Sequence, residues 1–280
     1  MIECPRDAMQ GWKRQIPTNE KIRFLNALLK VGFHTLDCGS FVSPKMIPQM
    51  ADTREVIKSL SILDSNTKLL VIIANVRGAE EAATFESISY LGFPFSISPT
   101  FQKKNTNSTI EESLQRLDEI QNICVQKNKE LVVYLSMAFG NPYGDEYDDD
   151  TLLDWADEMV KRNIKTVSLA DTIGVATPEQ INSALTTLIP AFPQTSWGIH
   201  LHSTATNWKE KITAAVEAGC KRFDGALRGF GGCPMASDKL VGNMNTELMI
   251  NYFKENNMMP RINEEALHEC VKLAEQIFEP

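Results

Sequence analysis

Two of the chain's four histidines, His200 and His202, stand one residue apart in GIHLHST, residues 198–204. In a β-strand positions i and i+2 share a face, so both imidazoles project together while Ile199 and Leu201 face the other way. Two imidazoles at that spacing can chelate a metal ion; the plainer reading is a polar pair on a solvent-facing strand edge. The other donors in the chain weigh toward the metal. Asp7 in ECPRDAMQ and Asn243 in GNMNTE add oxygen to the two nitrogens. Such a mixed set suits a hexacoordinate divalent ion, Mg²⁺ or Mn²⁺, with Co²⁺ a further candidate. The six cysteines (Cys4, Cys38, Cys124, Cys220, Cys233, Cys270) form no CxxC pair, which argues against structural zinc and against a dithiol redox motif.

These residues need a scaffold, and the pattern supplies one. Strand-like runs at 2–4, 33–39, 68–75, 93–99, 130–137, 166–172, 197–203 and 222–227 alternate with helical patterns. The helices fall near 18–31, 51–60, 78–88, 108–127, 151–162, 177–189 and 207–218, then near 244–255 and 263–277. Thr18 is the expected N-cap of the first, and Thr177-Pro178 reads as an N-cap with proline at N1. Eight β-then-α units imply parallel strands with crossover helices. The expected fold is α/β, a (β/α)₈ TIM barrel with additional C-terminal helices, as a single domain over residues 1–280. No GxGxxG turn follows the first strand, so a dinucleotide site is not indicated.

In such barrels the chemistry sits at the C-terminal ends of the strands. There the sequence collects Arg6 and Asp7, then Asp37 and Ser40, then Tyr134 and Ser136. Asp171 and Thr172 follow, then His200, His202 and Ser203, and last the loop RGFGGCP and Asn243. Composition excludes several classes. A net charge of −8 argues against nucleic acid or an anionic membrane as partner. No apolar run approaches the roughly 20 residues of a membrane span, and the opening MIECPRD has no basic-then-apolar leader. The expectation is a cytoplasmic protein of bacterial type.

ECPRDAMQ, SFVSPKMIPQM (40–50), SLADTIG (168–174), IHLH, GFGGCP (229–234) and GNMNTE together resemble the 3-hydroxy-3-methylglutaryl-CoA lyase family. That family lies within a group of metal-dependent lyase and condensing-enzyme barrels. The HxH and the Arg-Asp pair occur across the wider group; SFVSPKMIPQM and GFGGCP are closer to the lyases themselves. The resemblance runs from about residue 2 to about residue 277.

It implies retro-Claisen cleavage of HMG-CoA to acetyl-CoA and acetoacetate, a step of leucine degradation, by a homodimer. The metal would be held by Asp7, His200, His202 and Asn243; Arg6 and Cys233 would be catalytic; Asp37 and Asp171 would belong to the active site. For that chemistry Arg6 suits the enolate charge building on the thioester oxygen. Asp7 and His200 compete as general base. Asp171 and its neighbour Thr172 would orient the ligands. Cys233, in a glycine-rich loop, would donate or relay a proton. Coenzyme A is part of the substrate, and Lys13, Arg14, Lys45, Lys103 and Lys104, expected in strand-to-helix loops, are candidates for its phosphates. Gln10 and Ser40 could add hydrogen bonds to substrate.

The chain departs from the family pattern at Asp37 (usually Glu), Ser203 (often Asp), Asn141 (often Cys) and a longer MASDKLV stretch before GN. These departures bear on the acyl pocket. The competing readings are a related lyase or condensing enzyme acting on another 3-hydroxyacyl-CoA or 2-oxo acid, and a catalytically silent CoA-ester-binding barrel.

Overall fold

A computed structural model describes residues 1–232, 241–258 and 261–278. Eight parallel strands close into a barrel: β1 (Ile2–Glu3), β2 (Thr35–Ser40), β3 (Lys68–Ile72), β4 (Ile88–Ser96), β5 (Glu130–Ser136), β6 (Thr166–Ala170), β7 (Ser196–His200) and β9 (Arg222–Gly225). β1 closes the ring by pairing with both β2 and β9. Two further strands stand outside it: β8 (His202–Ser203) runs antiparallel to β10 (Gly242–Asn243), with Asn243 opposite His202. Helices Thr246–Glu255 and Glu264–Phe278 follow, the expected C-terminal additions.

Alternation along the strands divides the core in two. Side chains facing outward, such as Leu36, Val71, Leu135, Val167 and Ile199, pack under the helices in one large apolar cluster. Leu70, Ile72, Val132 and Tyr134 fill the barrel interior as a smaller second cluster. Ile199 and Leu201 are buried in the outer cluster, as the strand reading of GIHLHST requires.

Three local expectations are corrected. Thr18 does not cap its helix: Thr18–Leu28 begins at Thr18 itself, whose hydroxyl donates to Asp52 Oδ2 at 2.7 Å. The helix expected over 78–88 is Val76–Ala82, and β4 starts at Ile88 rather than 93. Apolar residues between 88 and 95 fit either period, and pairing with β3 and β5 selects the strand. A helix, Pro99–Thr106, occupies what read as loop. Ser98 caps it by accepting from Phe101 N, with proline at N1, the same signature that correctly placed Thr177 and Pro178. Lys103 and Lys104 therefore sit in the last turn of a helix, not in a loop. Likewise Arg6, Asp7 and Gln10 lie on the short helix Pro5–Gln10, one step beyond the end of β1.

Glu3 shows how the barrel is tied to its C-terminal part. Its carboxyl is buried and accepts from Leu227 N at 2.8 Å and from the Thr246 hydroxyl at 2.6 Å. Burial outweighs these bonds and lifts its pKa to about 8. The folded state thus keeps a proton that the unfolded chain loses near 4.5. Stability from this group is full below that value, falls as pH rises by ~1 kcal/mol per pH unit, and is lost above about 8. Glu3→Gln, which resembles the neutral acid, is expected to remove that slope. Denaturant midpoints across this pH range check it, and an unchanged slope would mean that Glu3 is ionised in the fold.

Candidate active site and metal centre

Asp7 lies at the middle of the cluster. Its Oδ1 accepts from Arg6 Nη1 at 3.0 Å and from Gln10 Nε2 at 2.9 Å, and its Oδ2 from Asn243 Nδ2 at 2.7 Å. Burial alone would raise its pKa; the charge of Arg6, the imidazoles of His200 and His202, protonated in the acid range where Asp7 titrates, and the Asn243 bond overcome that and bring it to about 2. Asp7 is therefore an anion at neutral pH. One donor atom each from Asp7, His200 and His202 lies within 4.8 Å of the others.

His202 is the clearest sign of a missing partner. Its ring is buried, and neither ring nitrogen has a hydrogen bond. Burial, then the charge of His200, lowers its pKa to about 4, so the ring is neutral at pH 7 and offers a lone pair. An orphaned buried imidazole facing an anion costs free energy unless something binds it. Asn243 spends its Nδ2 on Asp7 and on the Phe230 carbonyl at 2.9 Å, which leaves its amide oxygen to reach an ion. An anionic oxygen, imidazole nitrogens and an amide oxygen fit a divalent ion of borderline-hard character.

The elements explain the convergence. β7 ends at His200, and the chain re-enters extended structure at His202 to pair with Asn243, which sets one ligand candidate directly across from another. The two imidazole centroids are 5.4 Å apart. Gly231, in GFGG, packs against Asp7 and Asn243 with φ +91. A Cβ there would lie 2.7 Å from Asn243 Nδ2 and 2.9 Å from Asp7 O, so only glycine fits. Cys233, two residues on, lies outside the described residues.

Arg6 is buried between two carboxylates. Its Nε donates to Asp37 at 3.0 and 3.2 Å and its Nη2 to the same carboxylate, while Nη1 turns to Asp7. Burial opposes the guanidinium charge, but Asp37 and Asp7 more than restore it. Burial holds Asp37 up at about 6 against the Arg6 charge, so it too is an anion at neutral pH.

Asp171 and Thr172 do not touch the ligand side chains. Asp171 pairs with the buried Lys211 at 2.7 Å, and Lys211 Nζ in turn donates to the His202 carbonyl at 2.8 Å. Asp171 thus acts on the backbone of His202 through Lys211, a residue that none of the motifs marked. Thr172 accepts from Met137 N at 2.9 Å. Ser40 is buried and lines a cavity of about 280 Å³ with Val42, Thr53, Arg54, Asn75 and Arg77; none of the ligand candidates lines it. Lys13, Lys45, Lys103 and Lys104 are exposed, with Lys104 over the Tyr143 ring at 4.3 Å. Arg14 is tied to Glu20 and to the Ile277 carbonyl. Among the departures, Ser203 is buried against Met244, and Asn141 builds its own loop by bonding Tyr143, Asp145 and the Asp145 carbonyl. Asp224, which no motif marked, lies 3.3 Å from His200 Nδ1.

The family model described as HMGL-like matches residues 3–274, nearly the whole chain. The chain belongs to the HMGL-like family. It is 33% identical over 248 residues to the mitochondrial hydroxymethylglutaryl-CoA lyase of Mus musculus, covering 88% of this chain and 75% of that one. It is 30% identical over 272 residues to hydroxymethylglutaryl-CoA lyase YngG of Bacillus subtilis, covering 97% and 90%. Among solved structures, the HMG-CoA lyase of Brucella melitensis superposes with a TM-score of 0.91 at 28% identity, over 100% of this chain and 98% of that one. The Acinetobacter baumannii HMG-CoA lyase in complex with coenzyme A and 3-methylmalate gives 0.90 at 29% identity, over 99% and 90%. The barrel and its orphaned donors are thus those of an HMGL-like protein.

If Asp7 anchors an ion in this HMGL-like site, Asp7→Ala should hold substoichiometric Mn²⁺ in equilibrium dialysis at concentrations that saturate the native protein. Unchanged stoichiometry removes Asp7 from the ligand set.

Proposed function

We propose that this HMGL-like protein is a metal-dependent carbon–carbon lyase that cleaves HMG-CoA to acetyl-CoA and acetoacetate. The observation that carries the reading is the buried, unpartnered His202 beside the anionic Asp7, in a chain whose relatives are hydroxymethylglutaryl-CoA lyases. Asp7, His200, His202 and Asn243 would hold the divalent ion, Mg²⁺ or Mn²⁺. When bound, the ion supplies Lewis-acid polarisation of the substrate's tertiary hydroxyl.

The chain's own groups do the rest. Arg6 has five N–H donors and commits three to Asp37 and Asp7, so two remain for the thioester oxygen as enolate charge develops. Asp37 holds the guanidinium plane in place before substrate arrives, which avoids reorganisation during the reaction. Of the two candidate bases, His200 has no lone pair to spare, with Nδ1 on Asp224 and Nε2 toward the ion, whereas the Asp7 carboxylate has lone pairs beyond the one an ion would take and is left to accept the hydroxyl proton. Cys233 protonates the enolate carbon. Gln10 orients Asp7, and Ser40, Lys13, Lys45, Lys103 and Lys104 serve the acyl and coenzyme A parts of the substrate, with the lysines' exposure suiting phosphate contact. The whole chain acts as one catalytic domain. A homodimer working in the cytoplasm in leucine breakdown goes with this reading. Among the described residues no helix is long and apolar enough to cross a membrane.

Incubation with HMG-CoA and Mn²⁺ is expected to yield acetyl-CoA and acetoacetate by mass spectrometry, and none with EDTA. No product from protein shown to hold its ion, with turnover of another 3-hydroxyacyl-CoA, would move the substrate assignment. Arg6→Met is expected to keep the ion and lose turnover by roughly 10²–10³-fold, the effect of a lost oxyanion donor. Near-native turnover would end the enolate role.

A further inference from the structure

Asp224 enters the barrel interior from β9, is 3% exposed, and belongs to none of the motifs described above. Its Oδ2 lies 3.3 Å from His200 Nδ1, at the long end of hydrogen-bonding distance. A carboxylate only accepts, so this contact requires a proton on Nδ1. That leaves the Nε2 lone pair as the nitrogen available to the site.

We propose that Asp224 is the positioning residue of His200: it fixes the Nδ1–H tautomer and turns Nε2 toward Asp7 and His202. The inference rests on the metal-centre reading given above. The surroundings hold the ring from other sides. Tyr134 packs edge-on against it at 5.8 Å between centroids, and His202 lies edge-on at 5.4 Å. Arg222, two residues before Asp224, shares its strand face and supplies positive charge within the same interior. Room for Arg222 comes from Gly198 on β7, where a Cβ would meet Arg222 Cγ at 2.7 Å. Cys4 is the fourth neighbour, with its sulfur within 4.8 Å of donor atoms of His200 and Asp224. Burial, then the charge of Asp224, pushes its thiol well above the usual range, so Cys4 stays a neutral thiol beside the pair.

Asp224→Asn discriminates because an amide can donate to an unprotonated Nδ1 and so favours the opposite tautomer. Long-range ¹H–¹⁵N spectra of the full-length, metal-free protein, with only four histidines to assign, read the tautomer directly at a pH where the ring is neutral. The native protein is expected to show Nδ1–H at His200, and Asp224→Asn to lose it. Mn²⁺ affinity, by electron paramagnetic resonance, is expected to fall roughly 10- to 100-fold in the variant, the effect of removing an outer-shell partner. An Nε2–H tautomer in the native protein overturns the proposal, and so does an unchanged Mn²⁺ affinity in a folded variant. If the variant does not fold, the native tautomer alone decides. Both readouts are independent of the substrate, so failure of HMG-CoA cleavage by the native protein is seen separately.

Discussion

A buried charge must be paired, and in this protein one guanidinium does most of the pairing. Removing an ion from water costs several kcal/mol after relaxation, and mutual attraction offsets this only with good geometry and filled hydrogen bonds. Arg6 meets that condition by bonding Asp37 on one side and Asp7 on the other. Asp7 in turn is tied to Gln10 and Asn243. The consequence is an arrangement fixed before any ligand arrives: β2 holds Arg6, Arg6 holds Asp7, and Asp7 holds the β10 asparagine across the barrel mouth. A second buried pair, Lys211 with Asp171, does the same for the backbone at His202.

The barrel makes this possible because its strand ends lie on one rim. Its interior is apolar around Leu70, Ile72 and Val132 and polar where Tyr134, Arg222, Asp224 and His200 meet. Polar atoms in that interior are the expensive part of the fold, and the glycines that admit them, Gly92 beside Tyr134 and Gly198 beside Arg222, are part of the same solution. The β8–β10 ladder is only two residues long on each side, yet it decides which donors face each other. Gly231 then brings the backbone against Asp7 and Asn243 at a distance no side chain allows.

Local rules went far along this chain because alternation and capping are written in neighbouring residues. The eight-strand order, the C-terminal helices and the Thr177-Pro178 start were legible for that reason. The start of β4 was not, because residues 88–95 satisfy two periods and only the adjacent strands choose one. Ser98-Pro99 carried the same start signal as Thr177-Pro178, and reading it as such would have placed Lys103 and Lys104 on a helix. Lys211 carried no such signal: a lysine inside an amphipathic helix reads as solvated, and its burial follows only from Asp171 standing opposite.

By itself the sequence determined the kind of fold and the kinds of donor, since both follow from residue type at short spacing. His200 and His202 on one face, an Arg-Asp pair after the first strand, and an asparagine shortly before a late helix are all local facts. Only the tertiary structure decided who touches whom. That Asp37 grips Arg6 rather than a ligand, that Asp171 reaches His202 through Lys211, and that Asp224 stands under His200 are contacts across 24 to 40 residues of chain. Barrel closure brings them together, and the need to compensate each buried charge then selects the partner.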